Sequence, residues 1–455
     1  MSQSAFDPDK DISFLCEESR KYTSINPADY KTYQVKRGLR NDDGSGVMAG
    51  LTRICNVHGY VIDDGEKAPV KGRLTYRGID LEDIIGACSA ENRFGFEEAA
   101  WLLLYGKLPT VRQLGIFGRA ISLQRDLPGT FVDNVITAVP CRNIMNALQR
   151  AALALYTYDD DPDTSTHENI MRQSISLIAK MPTMMVAAYQ VKRRSFDNKS
   201  MYFHTTKPEL TLAENILRTM RSDRQFTDEE AKMLDLCLVL QMEHGGGNNS
   251  TFASRVLTSS GTDIYSAVSA GIGSLKGPRH GGANFMVMGM MDAIKNGVSN
   301  WRDETEVAGF IRKILNKEEG DGSGLVYGMG HAVYTISDPR AVLLKQYAAK
   351  MIPGTQYEAE FELIQLIEKL TPGLFREKKG IDAPLCANVD LYSGMVYTML
   401  RVPPELMTPL FAVARTVGWC AHIIEEACTT GGRIIRPAYK DVSTRTAYVP
   451  LEQRT

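Results

Sequence analysis

The chain has 455 residues, 44 % hydrophobic and 23 % charged, with a formal net charge of −2. That is an ordinary globular composition, and its length suggests about two to four domains. Interspersed basic and acidic residues argue against a dedicated nucleic-acid or membrane-surface protein, though not against one basic pocket for an anionic substrate.

The opening MSQSAFDPDKDISF is polar and acidic. It lacks the basic and apolar regions of a secretory signal. The longest apolar runs, such as FMVMGMM and MPTMMVAAY, are far short of a membrane span. Eight cysteines are scattered without a C-x-x-C pair. This predicts reduced, mostly buried thiols in a cytosolic protein. No internal repeat is visible.

Residues 1–45 are charged and end in RGLRNDDGSG. They predict a short, partly helical appended segment and a flexible joint. ICNVHGYVIDD and GRLTYRG follow, β-branched or aromatic, separated by the polar GEKAPVK. They predict a small β-hairpin unit. After that the helical period takes over. Ile144, Leu148, Ala151, Ala152 and Leu155 repeat at three and four. TDEEAKMLDLCLVLQMEHGGG opens with a capping box, Thr227 to Glu230, and ends in glycines after His244. Further helices are predicted near 97–105, 111–125, 168–191, 210–221, 263–275, 283–296, 303–317, 339–350, 356–370, 388–400 and 404–427. The class is mainly α, with helix-on-helix layers. The Met-rich run after His280 reads as a helix buried on all sides.

Seven histidines are present. His244, His280 and His331 lie beside glycines at predicted helix ends. His58, in the hairpin, also touches glycine, so this pairing alone leaves a plain loop role open. Glycine and proline in LKGPRHGGAN fix the backbone around His280, a side chain that titrates near neutrality. In TISDPRA, Ser337 or Asp338 can cap a helix with Pro339 in its first turn. Arg340 then lies near the His331 loop, as a solvated arginine or as a fork for a carboxylate. Asn388 is a plausible cap that puts Asp390 in or near a first turn, as a dipole-compensating carboxylate or a general base. Arg415 lies mid-helix among Phe411, Val413 and Val417, an expensive place unless it is paired. Arg436 precedes Pro437, which biases it to an extended conformation. Arg340, Arg415 and Arg436 could clamp a substrate with more than one carboxylate. The histidines lack H-x₃-H spacing, so no metal site is expected. A non-catalytic or metal-binding helical protein is the competing class, and it leaves three arginines unexplained.

GLTRI at 50–54, GRLTYRGIDLEDI at 72–84 and FEEAAWLLLYGKLPT at 96–110 resemble the N-terminal signature of the citrate synthase family. EHGGGNNSTFASRV, LKGPRHGGAN, GMGHAVYTISDPRA, NVDLYSGMVYTML and RIIRP resemble its active-site blocks, in order. The resemblance runs from about residue 48 to the end. It implies a two-domain, multi-helical fold with a small N-terminal β-hairpin unit. The expected boundaries are an appended segment 1–47, a large domain 48–281 and 401–455, and a small closing domain 282–400. It implies condensation of acetyl-CoA with oxaloacetate and hydrolysis of citryl-CoA, the first step of the tricarboxylic acid cycle. The implied base is Asp390. His280 would hydrogen-bond the thioester oxygen, and His331 would polarise the ketone. His244, Arg340, Arg415 and Arg436 would bind oxaloacetate, Arg436 reaching the neighbouring subunit of a homodimer whose active site is shared. No cofactor is implied, because the coenzyme A thioester is a substrate. The implied location is cytoplasmic.

Glycines beside the loop histidines, Gly328 and Gly330 among them, would let the coenzyme approach. Two departures stand out. The family often carries a basic phosphate contact where this chain has Thr335, and an apolar residue where it has Arg279. Arg279 could replace the phosphate contact, or it could keep His280 neutral. The nearest rival, 2-methylcitrate synthase acting on propionyl-CoA, differs by one methylene, worth about 1–3 kcal/mol.

Overall fold

The computed structural model describes residues 7–63, 66–380, 384–429 and 431–454. The chain divides into two compact units, Met1–Gly50 with Arg436–Thr455, and Leu51–Ile435. In the first, α1 (Pro8–Tyr22) is capped by Asp7 and α2 (Pro27–Thr32) by Asn26, each with proline in its first turn, and neither helix buries a residue. Lys440, from the C-terminal segment, lies 5.5 Å from the centre of the Tyr33 ring.

The second unit opens with a three-stranded antiparallel sheet of β1 (Cys55–Asp63), β2 (Glu66–Tyr76) and β3 (Ile79–Asp80), in that order. The polar GEKAPVK, expected as a connection, is mostly strand. Lys67, Ala68 and Pro69 pair with Ile62, Val61 and Tyr60. Only the second half of β2 has a partner on its other side, at Thr75 and Tyr76. Pro69 therefore sits where no N–H is required.

Helices follow: α3 (Leu81–Ala90), α4 (Phe96–Tyr105), α5 (Val111–Leu123), α6 (Ile144–Ala154), α7 (His167–Phe196), α8 (Leu212–Met220) and α9 (Asp228–Gln241). Then come α10 (Asn249–Thr258), α11 (Ile264–Leu275), α12 (Ala283–Gly297), α13 (Glu304–Leu315), α14 (Pro339–Met351), α15 (Glu358–Lys379), α16 (Asp390–Met399) and α17 (Pro404–Thr429). The capping box at Thr227 starts α9 as expected.

Two helices escaped the periodicity. The stripe of α3 spans barely two turns directly after a strand. α10 has no apolar stripe, because the face it buries is Ser250, Thr251, Ser254, Arg255 and Thr258. Ser254 and Thr258 satisfy their hydroxyls on carbonyls four residues back, which makes that polar burial tolerable. α12 also departs from expectation. It buries one face through Val287, Met290, Met291 and Ile294, while Phe285 is 66 % exposed.

α17 is the central helix, packed against α4, α7, α9, α10 and α11. Its length and mean hydropathy of 1.2 would suit a membrane span, but 89 % of that apolar window is buried inside the protein. Among the described residues all eight cysteines are free, with Cys16 and Cys428 exposed.

The hairpin backs the loop before α14. A Cβ at Gly59 would stand 2.6 Å from the Val333 carbonyl oxygen, and one at Gly72 would overlap the Ser337 carbonyl oxygen. The Gly72 N–H donates to Ser337 Oγ at 3.1 Å. Gly72→Ala should therefore push β2 and loop 331–338 apart and destabilise the protein by about 1–3 kcal/mol. Gly86→Ala, in α3 with open space at its Cβ, should stabilise it by about 0.5–1 kcal/mol. Thermal unfolding of both variants checks the pair, and equal shifts would mean that the seam at Gly72 is not tight.

Candidate active site

The site grows from backbone geometry. Gly328 and Gly330 have φ of 83° and 91°, left-handed values that favour glycine. A Cβ at Gly328 would come 2.8 Å from Leu391 Cβ. These turns let residues 328–331 pair with 386–388. Gly330 N–H donates to Cys386 O at 2.7 Å, and Asn388 N–H to Gly328 O at 2.9 Å. The Asn388 side chain adds a bond from Nδ2 to Gly330 O at 2.8 Å, and its Oδ1 accepts the Asp390 N–H at 3.0 Å. The N-cap of α16 is Val389, without a side-chain cap bond, so the expected cap Asn388 acts instead as a clamp between the His331 loop and the first turn of α16.

His331 Nδ1 accepts the N–H groups of Val333 and Tyr334 at 3.0 and 3.1 Å. That assigns the ring proton to Nε2. The His244 ring meets His331 edge-on at 5.1 Å between centres, and Tyr334 stacks on His331 at 4.7 Å. His244 Nε2 and the Tyr334 hydroxyl are buried without a protein partner among the described residues.

Arg340 lies where α14 begins. Asp338 caps that helix by accepting the Arg340 N–H, and the same carboxylate takes Arg340 Nε at 3.0 Å and Nη2 at 2.7 Å. Both residues are buried, so Arg340 is no solvated surface arginine. Arg415 is 0 % exposed. Its Nε donates to the Gln241 carbonyl at 2.8 Å, and the guanidinium lies 4.7 Å from the Phe411 ring centre. Among the described residues its Nη1 and Nη2 have no protein partner. Buried cationic donors left unmade cost several kcal/mol, roughly, which marks them as directed at an anion.

His280 Nε2 lies 3.1 Å from Asn248 Oδ1. That oxygen also accepts from Ser250 N–H and Oγ–H. It is therefore an acceptor toward His280, and the proton is on Nε2. Burial, then the charge of Arg415, pushes His280 down to about 4. Burial, with Arg340, His331 and Arg415, holds His244 well below the usual histidine range. Both rings are neutral near neutral pH. Burial raises the Asp390 carboxyl to about 6, against the opposing charge of Arg340.

The unit Leu51–Ile435 thus gathers His244, His331, Arg340 and Arg415, with His280 within electrostatic reach of Arg415 and Asp390 of Arg340. Arg279 is exposed beside His280. Arg436 is exposed and belongs to the other unit. Sequence reasoning overlooked Asp338 as an ion-pair partner, and Asn248 and Tyr334 altogether. The only signals were a cap position and adjacency to histidines. Among the described residues no group of three His, Cys, Asp or Glu could hold a metal ion.

The Asp390 carboxyl binds its proton more tightly folded than unfolded. Its burial cost is therefore complete above about pH 6, fades as pH falls toward 4, and is absent below that. Asp390→Asn should stabilise the protein at pH 7, on the order of 3 kcal/mol, and make little difference at pH 4. Denaturant unfolding at both pH values checks this. An equal effect at both would show that the carboxyl is not strained by burial.

A family model described as citrate synthase, C-terminal domain, matches residues 43–438. Citrate synthase of a Synechocystis species is 34 % identical over 415 residues, 90 % of this chain and 93 % of the relative. 2-Methylcitrate synthase 1 of Corynebacterium glutamicum is 30 % identical over 427 residues, 93 % and 99 %. The solved citrate synthase of Thermoplasma acidophilum, in ternary complex with carboxymethyl coenzyme A and oxaloacetate, superposes with a TM-score of 0.74 at 26 % identity, covering 92 % of this chain and 99 % of that one. The chain belongs to the citrate synthase family.

Proposed function

We propose that this chain condenses acetyl-CoA with oxaloacetate and hydrolyses the resulting citryl-CoA, releasing citrate and coenzyme A at the entry to the tricarboxylic acid cycle. The observation that carries the reading is the buried Arg415 edge, whose Nη1 and Nη2 lack partners as His244 Nε2 does. A dicarboxylate of oxaloacetate size supplies the missing acceptors. Arg340, already aligned by Asp338, adds the second cation.

In this reading the Asp390 carboxylate takes a methyl proton of acetyl-CoA. A pKa near 6 leaves it mostly ionised at neutral pH yet basic enough to accept that proton. A thioester α-proton is a poor acid, so a donor to the developing enolate oxygen is also needed. His280 is that donor, through the Nε2–H now held by Asn248. One such donor contributes roughly 3–4 kcal/mol. The enol carbon attacks the ketone of oxaloacetate, whose oxygen accepts the Nε2 proton of His331. Gly328 and Gly330 leave space for the coenzyme beside this loop, and Arg279 offers a solvent-facing cation to its phosphates. Segment 282–400 is the smaller domain, closing over 48–281 with 401–455, so that water is excluded until citryl-CoA has formed. The location is cytoplasmic and the working assembly a homodimer.

The identity to 2-methylcitrate synthase favours propionyl-CoA as the second reading. Thiol release from acetyl-CoA and propionyl-CoA, each with oxaloacetate, decides between them through kcat/KM. The expected preference is acetyl-CoA, and a higher value for propionyl-CoA reverses the assignment. In the same assay Arg279→Leu should raise KM for acetyl-CoA several-fold and spare KM for oxaloacetate. An unchanged acetyl-CoA constant removes Arg279 from the coenzyme site.

Arg436 completes the oxaloacetate clamp from the neighbouring subunit. Asp390→Ala and Arg436→Ala homodimers should each be nearly inactive. Co-expressed, about half of the dimers are mixed and carry one whole site each, so about a quarter of wild-type sites should return. Mixed dimers that form yet stay inactive would place Arg436 within its own subunit or outside the reaction.

A further inference from the structure

Behind the anion-facing edge of Arg415 lies a second buried charge that the reaction itself does not use. Glu243 follows α9 and is 0 % exposed. Its Oε1 accepts the Gly245 N–H at 2.5 Å and meets His422 Nε2 at 3.2 Å. Across the same ring, Arg255 Nη1 lies 2.7 Å from His422 Nδ1. A guanidinium only donates, so Nδ1 accepts and the proton sits on Nε2, directed at Glu243. Arg255 is itself held by Glu425 and Glu426 at 2.9 and 2.8 Å. The chain of contacts pins the Glu243 carboxylate as an acceptor.

The other oxygen, Oε2, has no hydrogen-bond partner among the described residues. It lies against α17 at Gly418, where a Cβ would overlap it. Gly418 is three residues from Arg415, one turn along the same helix. Arg415 Nε bonds the carbonyl of Gln241, two residues before Glu243. The two charges are therefore neighbours across the α9–α17 seam without forming a direct ion pair. Burial raises the Glu243 carboxyl, but His422, Arg415 and the Gly245 amide outweigh it and hold it below the usual carboxylate range.

We propose that Glu243 is the buried counter-charge of Arg415, a positioning residue that keeps the guanidinium in place in the empty site and opposes the substrate carboxylates once they enter. With no anion present, Glu243 lets a cation remain in the core with two donors unmade. When a dianion arrives, the same carboxylate is a like charge behind the clamp. A preformed clamp is thus obtained together with weaker ground-state binding, which leaves more of the interaction for the transition state.

The proposal rests on oxaloacetate as the ligand. Oxaloacetate titrated into the wild-type protein by calorimetry tests that first, and no binding there would count against the function rather than against Glu243. Glu243→Gln keeps an acceptor for Gly245 and His422 and removes the charge. It should tighten oxaloacetate binding by at least about ten-fold, the effect of one like charge roughly 10 Å away at an effective dielectric near 20, with KM for acetyl-CoA unchanged. A residue that merely shapes the loop would weaken binding or leave it alone, and either result overturns the proposal. Should Glu243→Gln not fold, stability decides. The double variant Glu243→Gln/Arg415→Met should unfold at a higher temperature than Arg415→Met, because the latter leaves Glu243 uncompensated. A double variant no more stable than Arg415→Met overturns the proposal.

Discussion

A permanent positive charge sits in the middle of the helix that forms the core, and the rest of the structure is arranged around that constraint. Arg415 cannot lose its proton and cannot reach water. A lone charge in such a place would cost several kcal/mol, roughly, against a total stability of about 5–15. The fold answers with the Gln241 carbonyl at Nε, the Phe411 ring under the guanidinium and a carboxylate one helical turn away. It leaves two donors unmade. The strain is local and directional.

The same low-polarity surroundings act on the other groups in opposite senses. A histidine loses its charged form on burial, and a carboxylic acid keeps its proton longer. His244 and His280 are thereby held neutral near neutral pH, and Asp390 keeps its proton up to about pH 6. One physical cause shifts all three side chains. The donor atoms are then chosen by the backbone. Two amides on His331 Nδ1 put its proton on Nε2, and the capping oxygen of Asn248 does the same for His280.

Precision comes from glycine and from polar burial rather than from bulky packing. Gly59 and Gly72 let the hairpin backbone touch the loop of residues 331–338, and Gly328 lets that region lie on Leu391. α10 buries serines, threonines and Arg255. The hydroxyls of Ser254 and Thr258 are satisfied within the helix, and its arginine bonds outward to α17. Such a helix adds little hydrophobic drive, but it orients the end of α17 and the Glu243 loop together.

The helical class, the capping boxes at Thr110, Thr211 and Thr227 and the three loop histidines depend on residue type and near-neighbour spacing, so the sequence carried Thr227, the histidines and most helix positions openly. Arg415 could be singled out because a charge at period 3.6 among apolar residues violates a local rule. α10 could not be found, since its buried face is polar. The pairing of GEKAPVK was also hidden, because half of that hairpin is open to solvent and its polar residues conceal the strand. Asp338 was visible as a cap, but its double use as the partner of Arg340 needed the helix in three dimensions. Glu243, His422 and Arg255 are up to 179 residues apart, and nothing in their local surroundings couples them. Which charges balance which, and which nitrogen of each imidazole carries the proton, are long-range electrostatic outcomes. They depend on distances between elements that only tertiary packing brings together.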